Sequence, residues 1–383
     1  MQNKRARHLM VMCLIVLTLL TGCLQSKNII EKLGIVTAYG FDLNQQQELE
    51  GTTVLYQFNP DITNASQIIH STGKTFDMVR ANANKKSGYK IVNGKLQTIL
   101  FGPSIAEQGI FPYLDTIERN AAISDMLYVT MSETPAQDIL SASNYEEAPN
   151  VGVYLNRLIE TAVQNEEIVS STFHEYMRSY FNIGREPLIP VLSVENNKVA
   201  VDKIGAMQGD VHVGSFSLDE VFYVRLLRDK YNSGRIDLEF DLEPFEPYIQ
   251  EYHRDNRGDN MYVVIDKLES NTSIQLRDPE KLTYDVTVKL NGRIIEKSHR
   301  MNLDQPEPLK QLEKAIIQKM ENELIEVVSK SKQLGSDVFG FGVKYNNKTR
   351  GEELTRDKWQ DLYPNIDVNY DISIDIKRFG IVQ

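Results

Sequence analysis

Leu282-Thr283-Tyr284-Asp285-Val286-Thr287-Val288-Lys289-Leu290, followed by Asn291-Gly292 and Arg293 to Glu296, sets the fold class of this chain. Leu282, Tyr284, Val286, Val288 and Leu290 fall on one side of an extended backbone and Thr283, Asp285, Thr287 and Lys289 on the other, the period of a half-buried strand. Asparagine and glycine tolerate positive φ, so Asn291-Gly292 predicts a tight hairpin turn into a second strand over Arg293 to Glu296. Two more runs share the pattern. Ile236, Leu238, Phe240 and Leu242 alternate with Asp237, Glu239, Asp241 and Glu243; Val368, Tyr370, Ile372, Ile374 and Ile376 alternate with Asp367, Asn369, Asp371, Ser373 and Asp375. Between them a long helix follows Pro306, because Leu309, Leu312, Ile316, Met320, Leu324, Val327, Ser331 and Leu334 recur at spacings of three or four. Strands with one polar face and a helix with one apolar stripe pack as a sheet that is covered on one side and wet on the other.

Upstream, the pieces alternate in type. Strands are predicted over Leu33 to Phe41, Thr52 to Phe58, Lys95 to Phe101, Leu127 to Met131, Ile189 to Val194 and Val199 to Met207, with another at Met261 to Leu268. Helices are predicted after Gly73-Lys74-Thr75, over Ser104 to Arg119, after Thr134-Pro135, over Val151 to Asn165, over Ser171 to Phe181 and over Leu218 to Lys230. The chain is thus read as α+β and multi-domain, with mixed or antiparallel sheets packed against helices. The expected division is a leader over 1–22, an N-terminal mixed region over 23–200 that splits again near 130–150, and a C-terminal α+β domain over 201–383.

The leader has its own chemistry. Lys4, Arg5 and Arg7 precede an apolar run from Leu9 to Leu20. At about 12 residues, that run suits a signal-peptide core and is too short to span a bilayer. Leu20-Thr21-Gly22-Cys23 resembles the bacterial lipobox, in which the cysteine thiol takes a diacylglycerol and cleavage leaves it as the mature N-terminus. Cys23 is therefore the expected lipid-attachment residue. Cleavage would remove the first 22 of 383 residues, leaving 361, and the loss of three cations would take the formal charge from −11 to −14. An acidic surface argues against nucleic-acid binding. Cys13 leaves with the leader and Cys23 becomes a thioether, so no disulfide is expected and packing must supply stability.

Catalytic motifs fail on inspection. Gly73-Lys74-Thr75 ends like a phosphate loop, but the required first glycine is replaced by Ile68, and a turn with Thr75 capping a helix explains the residues. Ser71 and Lys74 have the serine–lysine spacing of penicillin-interacting enzymes without the further lysine-threonine-glycine element. His70, His174, His212, His253 and His299 show no metal-ligand spacing, and the acidic strand faces lack a glycine-rich calcium loop. Gly340-Phe341-Gly342 follows a helix, where a dinucleotide fingerprint would follow a strand, so it is read as backbone shaping. No catalytic residue, cofactor or metal is expected.

Several segments together resemble the C-subunit lipoproteins of spore germinant receptors, the Ger(x)C family. They are Cys23 in its lipobox; Leu33-Gly34-Ile35-Val36 with Ala38, Gly40, Phe41 and Asp42; Gly73-Lys74-Thr75; Phe101-Gly102; Gly205-Ala206, Val213-Gly214 and Glu220; and above all Gln333-Leu334, Ser336 to Gly342, Trp359 and Tyr363-Pro364. Leu24-Gln25 and Asn93-Gly94-Lys95 depart from the family's usual residues. The resemblance implies a non-enzymatic subunit, lipid-anchored on the outer face of the spore inner membrane beside integral membrane A and B subunits, that acts in nutrient-triggered germination. The alternative class is an extracytoplasmic solute-binding lipoprotein of a transporter, which would show two similar lobes.

Overall fold

The structure, a computed structural model, describes residues 30–58, 66–142, 145, 148–251, 260–349 and 354–377. Cys23 and its lipobox lie outside the described residues. Strand β1 (Leu33–Leu43) is buried along most of its length, as a central strand covered on both faces must be. It pairs antiparallel with β2 (Leu49–Tyr56), which pairs antiparallel with β3 (Ser66–Gly73). Thr75 then caps helix α1 (Phe76–Lys86), its hydroxyl accepting from the Met78 amide at 3.3 Å. The chain returns through β4 (Lys90–Val92) and β5 (Thr98–Phe101), both parallel to β1.

The helix expected over Ser104 to Arg119 is two, α2 (Pro103–Ala106) and α3 (Phe111–Glu118). Gly109, at φ 117°, breaks it because Asp210 occupies the space: its carboxylate accepts from Phe111 N at 3.0 Å and its carbonyl from Ile110 N at 3.0 Å. Strand β6 (Tyr128–Ser132), helices α4 (Ala136–Ser141), α5 (Val151–Gln164) and α6 (Phe173–Phe181), and strands β7 (Leu188–Glu195), β8 (Lys198–Gln208) and β9 (Val211–Ser217) complete the first unit. β5, β6 and β7 run parallel, whereas β8 and β9 add antiparallel strands, so this nine-stranded sheet continues past residue 200 to Ser217. Helices cover both faces. One core holds Phe41, Phe76, Phe101, Leu114 and Tyr176; the other holds Ala38, Leu100, Ile139, Leu155 and Leu192.

Helix α7 (Leu218–Arg228) joins the two units. Its residues from Val221 to Leu227 are all buried, and a helix buried all round must lie between layers. It packs on β8 and β9 of the first sheet and on the second sheet, which is built from β10 (Gly234–Asp241), β12 (Asn260–Asp278), β13 (Thr283–Lys297) and β15 (Asp367–Lys377). Short strands β11 (Ile249–Glu251) and β14 (Arg300–Met301) pair separately. The long helix α8 (Pro306–Gln333) buries Leu309, Leu312, Ile316, Met320, Leu324 and Val327 as its stripe predicts. The largest apolar cluster takes in this stripe, the inner face of the second sheet, and Ile159, Ile168, Leu188 and Ile204 from the first half.

The chain does not turn at Asn291-Gly292. β13 runs straight through them, with Asn291 opposite Glu269 of β12 and Gly292 opposite Ile376 of β15. The turn lies at the strand's other end, where the Asp278 carboxylate accepts from the amides of Glu280 (3.0 Å) and Lys281 (3.2 Å) and Leu282 takes φ 53°. Ladders on both edges of β13 outweigh the local turn preference of one dipeptide. Gly292 serves a close approach instead: a Cβ there would sit 2.6 Å from Ile265 Cγ2. Gly292→Ala should therefore cost about 1–3 kcal/mol in a urea titration. A neutral result would show that Ile265 can move aside.

Candidate functional site

Ser336 to Gly342 links α8 to helix α9 (Phe341–Lys348), and two left-handed glycines shape it: Gly335 (φ 63°) ends α8 and Gly340 (φ 88°) precedes α9. Asp337 lies between them, fully buried, and caps α9. One carboxylate oxygen accepts from Gly340 N (2.8 Å) and Phe341 N (3.2 Å), and the other from Gly342 N (2.8 Å) and Trp359 Nε1 (3.0 Å). Trp359 comes from helix α10 (Arg356–Leu362), so one carboxylate ties two helices together. Burial raises the Asp337 carboxyl to about 6 despite these four donors.

The same loop meets the first unit. Gly342 packs backbone to backbone on Gly184, where a Cβ on Gly184 would lie 2.4 Å from the Gly342 carbonyl carbon. Glu186 N donates to Asp337 O at 2.8 Å, Ser336 Oγ to Met207 O at 2.6 Å, and Gln208 Nε2 to Gly335 O at 3.2 Å. Arg228, at the end of α7, donates to the carbonyls of Glu186 and Val338 and to Ser179 Oγ. Burial, then Arg185, pulls its guanidinium down to about 9, still charged at neutral pH.

Glu186 is the second buried acid of this joint. Arg356 reaches both its oxygens (2.8 and 2.9 Å), Gly209 N donates to it at 2.8 Å, and the Arg356 guanidinium lies 5.2 Å from the centre of the Tyr180 ring. Burial raises the Glu186 carboxyl, and the charge of Arg356 opposes that shift. Arg356→Ala would strand this carboxylate. A loss of about 2 kcal/mol is expected by urea unfolding, below the full cost of a stranded buried charge because Arg356 is partly solvent-exposed. Glu186→Gln in the same background should recover part of it.

This constellation holds two units together: each carboxylate is occupied by backbone amides, an indole or a guanidinium. Other sequence candidates are dispersed. Ser71 Oγ donates to Val79 O at 2.9 Å within the α1 packing and so is engaged away from Lys74. His70 meets Thr52, His174 lies 4.0 Å from Asp125, His212 meets Ser215 and His299 meets Ser298. Among the described residues, no three His, Cys, Asp or Glu side chains converge to hold a metal. The sequence reading singled out Ser336 to Gly342 but missed Gly184, Glu186 and Arg228, which lie far from that loop in sequence, Arg228 being 110 residues from its partner Val338.

Comparison with known proteins places both units. The model described as "Spore germination protein N-terminal domain" matches residues 26–194, and that described as "Spore germination B3/GerAC like, C-terminal" matches residues 202–380. Spore germination protein GerQC of Bacillus cereus is 20% identical over 374 residues, covering 97% of this chain and 99% of the relative. Putative spore germination protein YfkR of Bacillus subtilis (strain 168) is 20% identical over 411 residues, covering 99% and 98%. The crystal structure of the GerBC protein superposes with a TM-score of 0.48 at 14% identity, covering 89% of this chain and 97% of that one. With matched models over both halves and relatives aligned end to end, the chain belongs to the GerAC-like spore germination proteins, the C-subunit family of germinant receptors.

Proposed function

We propose that this chain is the lipid-anchored C subunit of a spore nutrient germinant receptor and works without catalysis. Residues 1–22 act as a cleaved signal peptide and Cys23 carries the diacylglycerol. The protein sits on the outer face of the spore inner membrane and assembles there with integral membrane A and B subunits. The observation that carries this reading is where the family match begins, at residue 26, three positions after the lipobox cysteine. Among the described residues no helix is long and apolar enough to cross a membrane. Confinement to a layer beside the membrane raises the effective concentration of the domains for their partners, so association needs no large interface.

Cross-linking in isolated spore membranes tests the assembly. Links from lysines of this chain to two polytopic proteins of one receptor are expected. A chain linked only to itself or to transporter components would overturn the reading.

A further inference from the structure

Two unpaired strand edges line one cleft. A cavity of about 1020 Å³ lies where α5, β8, α7 and β10 meet, so its walls come from both units. Among the described residues β10 is the terminal strand of its sheet and is bonded to β12 on one side only. The first residues of β8 are likewise single-sided: Lys198 to Val201 pair with β7, but β9 joins only from Lys203. Successive side chains of a strand point to opposite faces, yet consecutive residues line the cleft on both strands, Val199-Ala200-Val201 and Arg235-Ile236-Asp237. The cleft therefore sees strand edges, where backbone N–H and C=O groups stand ready to pair. On the β8 edge the Val199 carbonyl already accepts from the Tyr154 hydroxyl at 3.1 Å.

The side chains give the occupant its chemistry. Leu158, Ala162, Ile168, Phe222 and Tyr223 supply apolar wall, and Glu166, Glu167, Asp219, Asp237, Glu239 and Glu323 bring six carboxylates against the three cations Arg157, Arg235 and Lys319. Within the lining Arg235 pairs with Asp237 (3.1 Å) and Lys319 with Glu323 (3.7 Å). The surplus is acidic. A strand of five residues spans about 17 Å and offers alternate side chains to the two walls. We infer that this cleft takes an extended segment of another polypeptide, basic residues alternating with apolar ones, which adds as a strand to the free edge of β10. The inference stands on the cleft alone and does not depend on the germination reading.

The test uses the full chain in detergent micelles and an end-capped heptapeptide, Lys-Val-Lys-Val-Lys-Val-Lys. Saturable binding is expected, with slowed amide exchange over residues 235–241. Its Glu-Val counterpart should bind at least about tenfold more weakly, because charge decides the match. The lysine peptide with alternate amides N-methylated should lose a similar factor, since it cannot complete the ladder. Thr161→Trp, on the exposed side of α5 at the cleft wall, should block binding while leaving the melting temperature unchanged. Glu167→Lys with Glu323→Lys provides a second variant that weakens binding without filling space. Equal binding by the N-methylated peptide, unchanged exchange over 235–241, or full binding by Thr161→Trp would each overturn the inference. So would displacement of the peptide by a free amino acid or nucleoside, which would mark the cleft as a solute pocket.

Discussion

Asp337→Ala is expected to lower the unfolding free energy by about 4 kcal/mol or more, enough to unfold much of a marginally stable domain. The carboxylate is fully buried and satisfies three backbone amides and the Trp359 indole, and its removal takes away the acceptor of all four. A hydrogen bond to a charged group contributes about 1.5–3 kcal/mol, and the four are not additive because water can enter the space left. Asp337→Asn should fall between: one amide oxygen can still accept from one pair of donors, but the amide nitrogen then faces the other pair. Urea titration of the three proteins gives the order. A loss under about 1 kcal/mol for alanine would mean that shape alone, and not this carboxylate, closes the joint.

The pH dependence of that loss has a definite sign. The Asp337 carboxyl is raised to about 6 in the folded chain, above the ordinary value of 3.8. Between about pH 4 and 6 the folded state therefore holds a proton that the unfolded state has released, and stability from this group falls as pH rises through that window. The gap between wild type and Asp337→Ala should be larger at pH 4.5 than at pH 7.5. An equal gap at both would show that the four donors offset the burial.

What the sequence discloses and what it hides follow from the range of the forces involved. The stripe of α8, the alternation in β15 and the Thr75 cap are set within a few residues, and the structure carries them as read. The edge strand β3 was missed because its sequence, Ser66 to Gly73, is largely polar, and its ladder to β2 is backbone chemistry that no side-chain period announces. Asn291-Gly292 misled for the opposite reason: a strong local turn signal yields to ladders on both sides of β13. At the joint, the glycines of Gly340-Phe341-Gly342 could be read as shaping backbone, but the surface they fit was illegible. Gly184 and Glu186 become partners of that loop only through the path of the first sheet and the placement of α7, which are properties of the whole core. Residues that resembled a motif at the level of sequence thus turn out to hold two units together.

On the proposed reading of Cys23 as the lipid-attachment residue, Cys23→Ala should cut membrane partition by more than about 100-fold. Each buried acyl methylene contributes about 0.8 kcal/mol, and one chain alone holds a protein only reversibly, so the two chains of a diacylglycerol are what separate a lasting anchor from a passing contact. With the leader removed, the variant should appear in the soluble fraction of lysed cells, with an intact fold by circular dichroism. Germination in response to nutrient should fall with it, because the released domains lose the effective concentration that the membrane layer provides, a factor of about 10²–10⁴ for a tethered second contact. Fusing the body from Lys27 onward to an unrelated transmembrane helix separates tethering from any further role of the lipid. Restored germination would mean that Cys23 acts by holding the domains in place, whereas a chain retained at the membrane yet inactive would mean that the lipid itself is part of what the partner subunits recognise. Full membrane retention of Cys23→Ala after removal of the leader would remove the anchor from the account altogether.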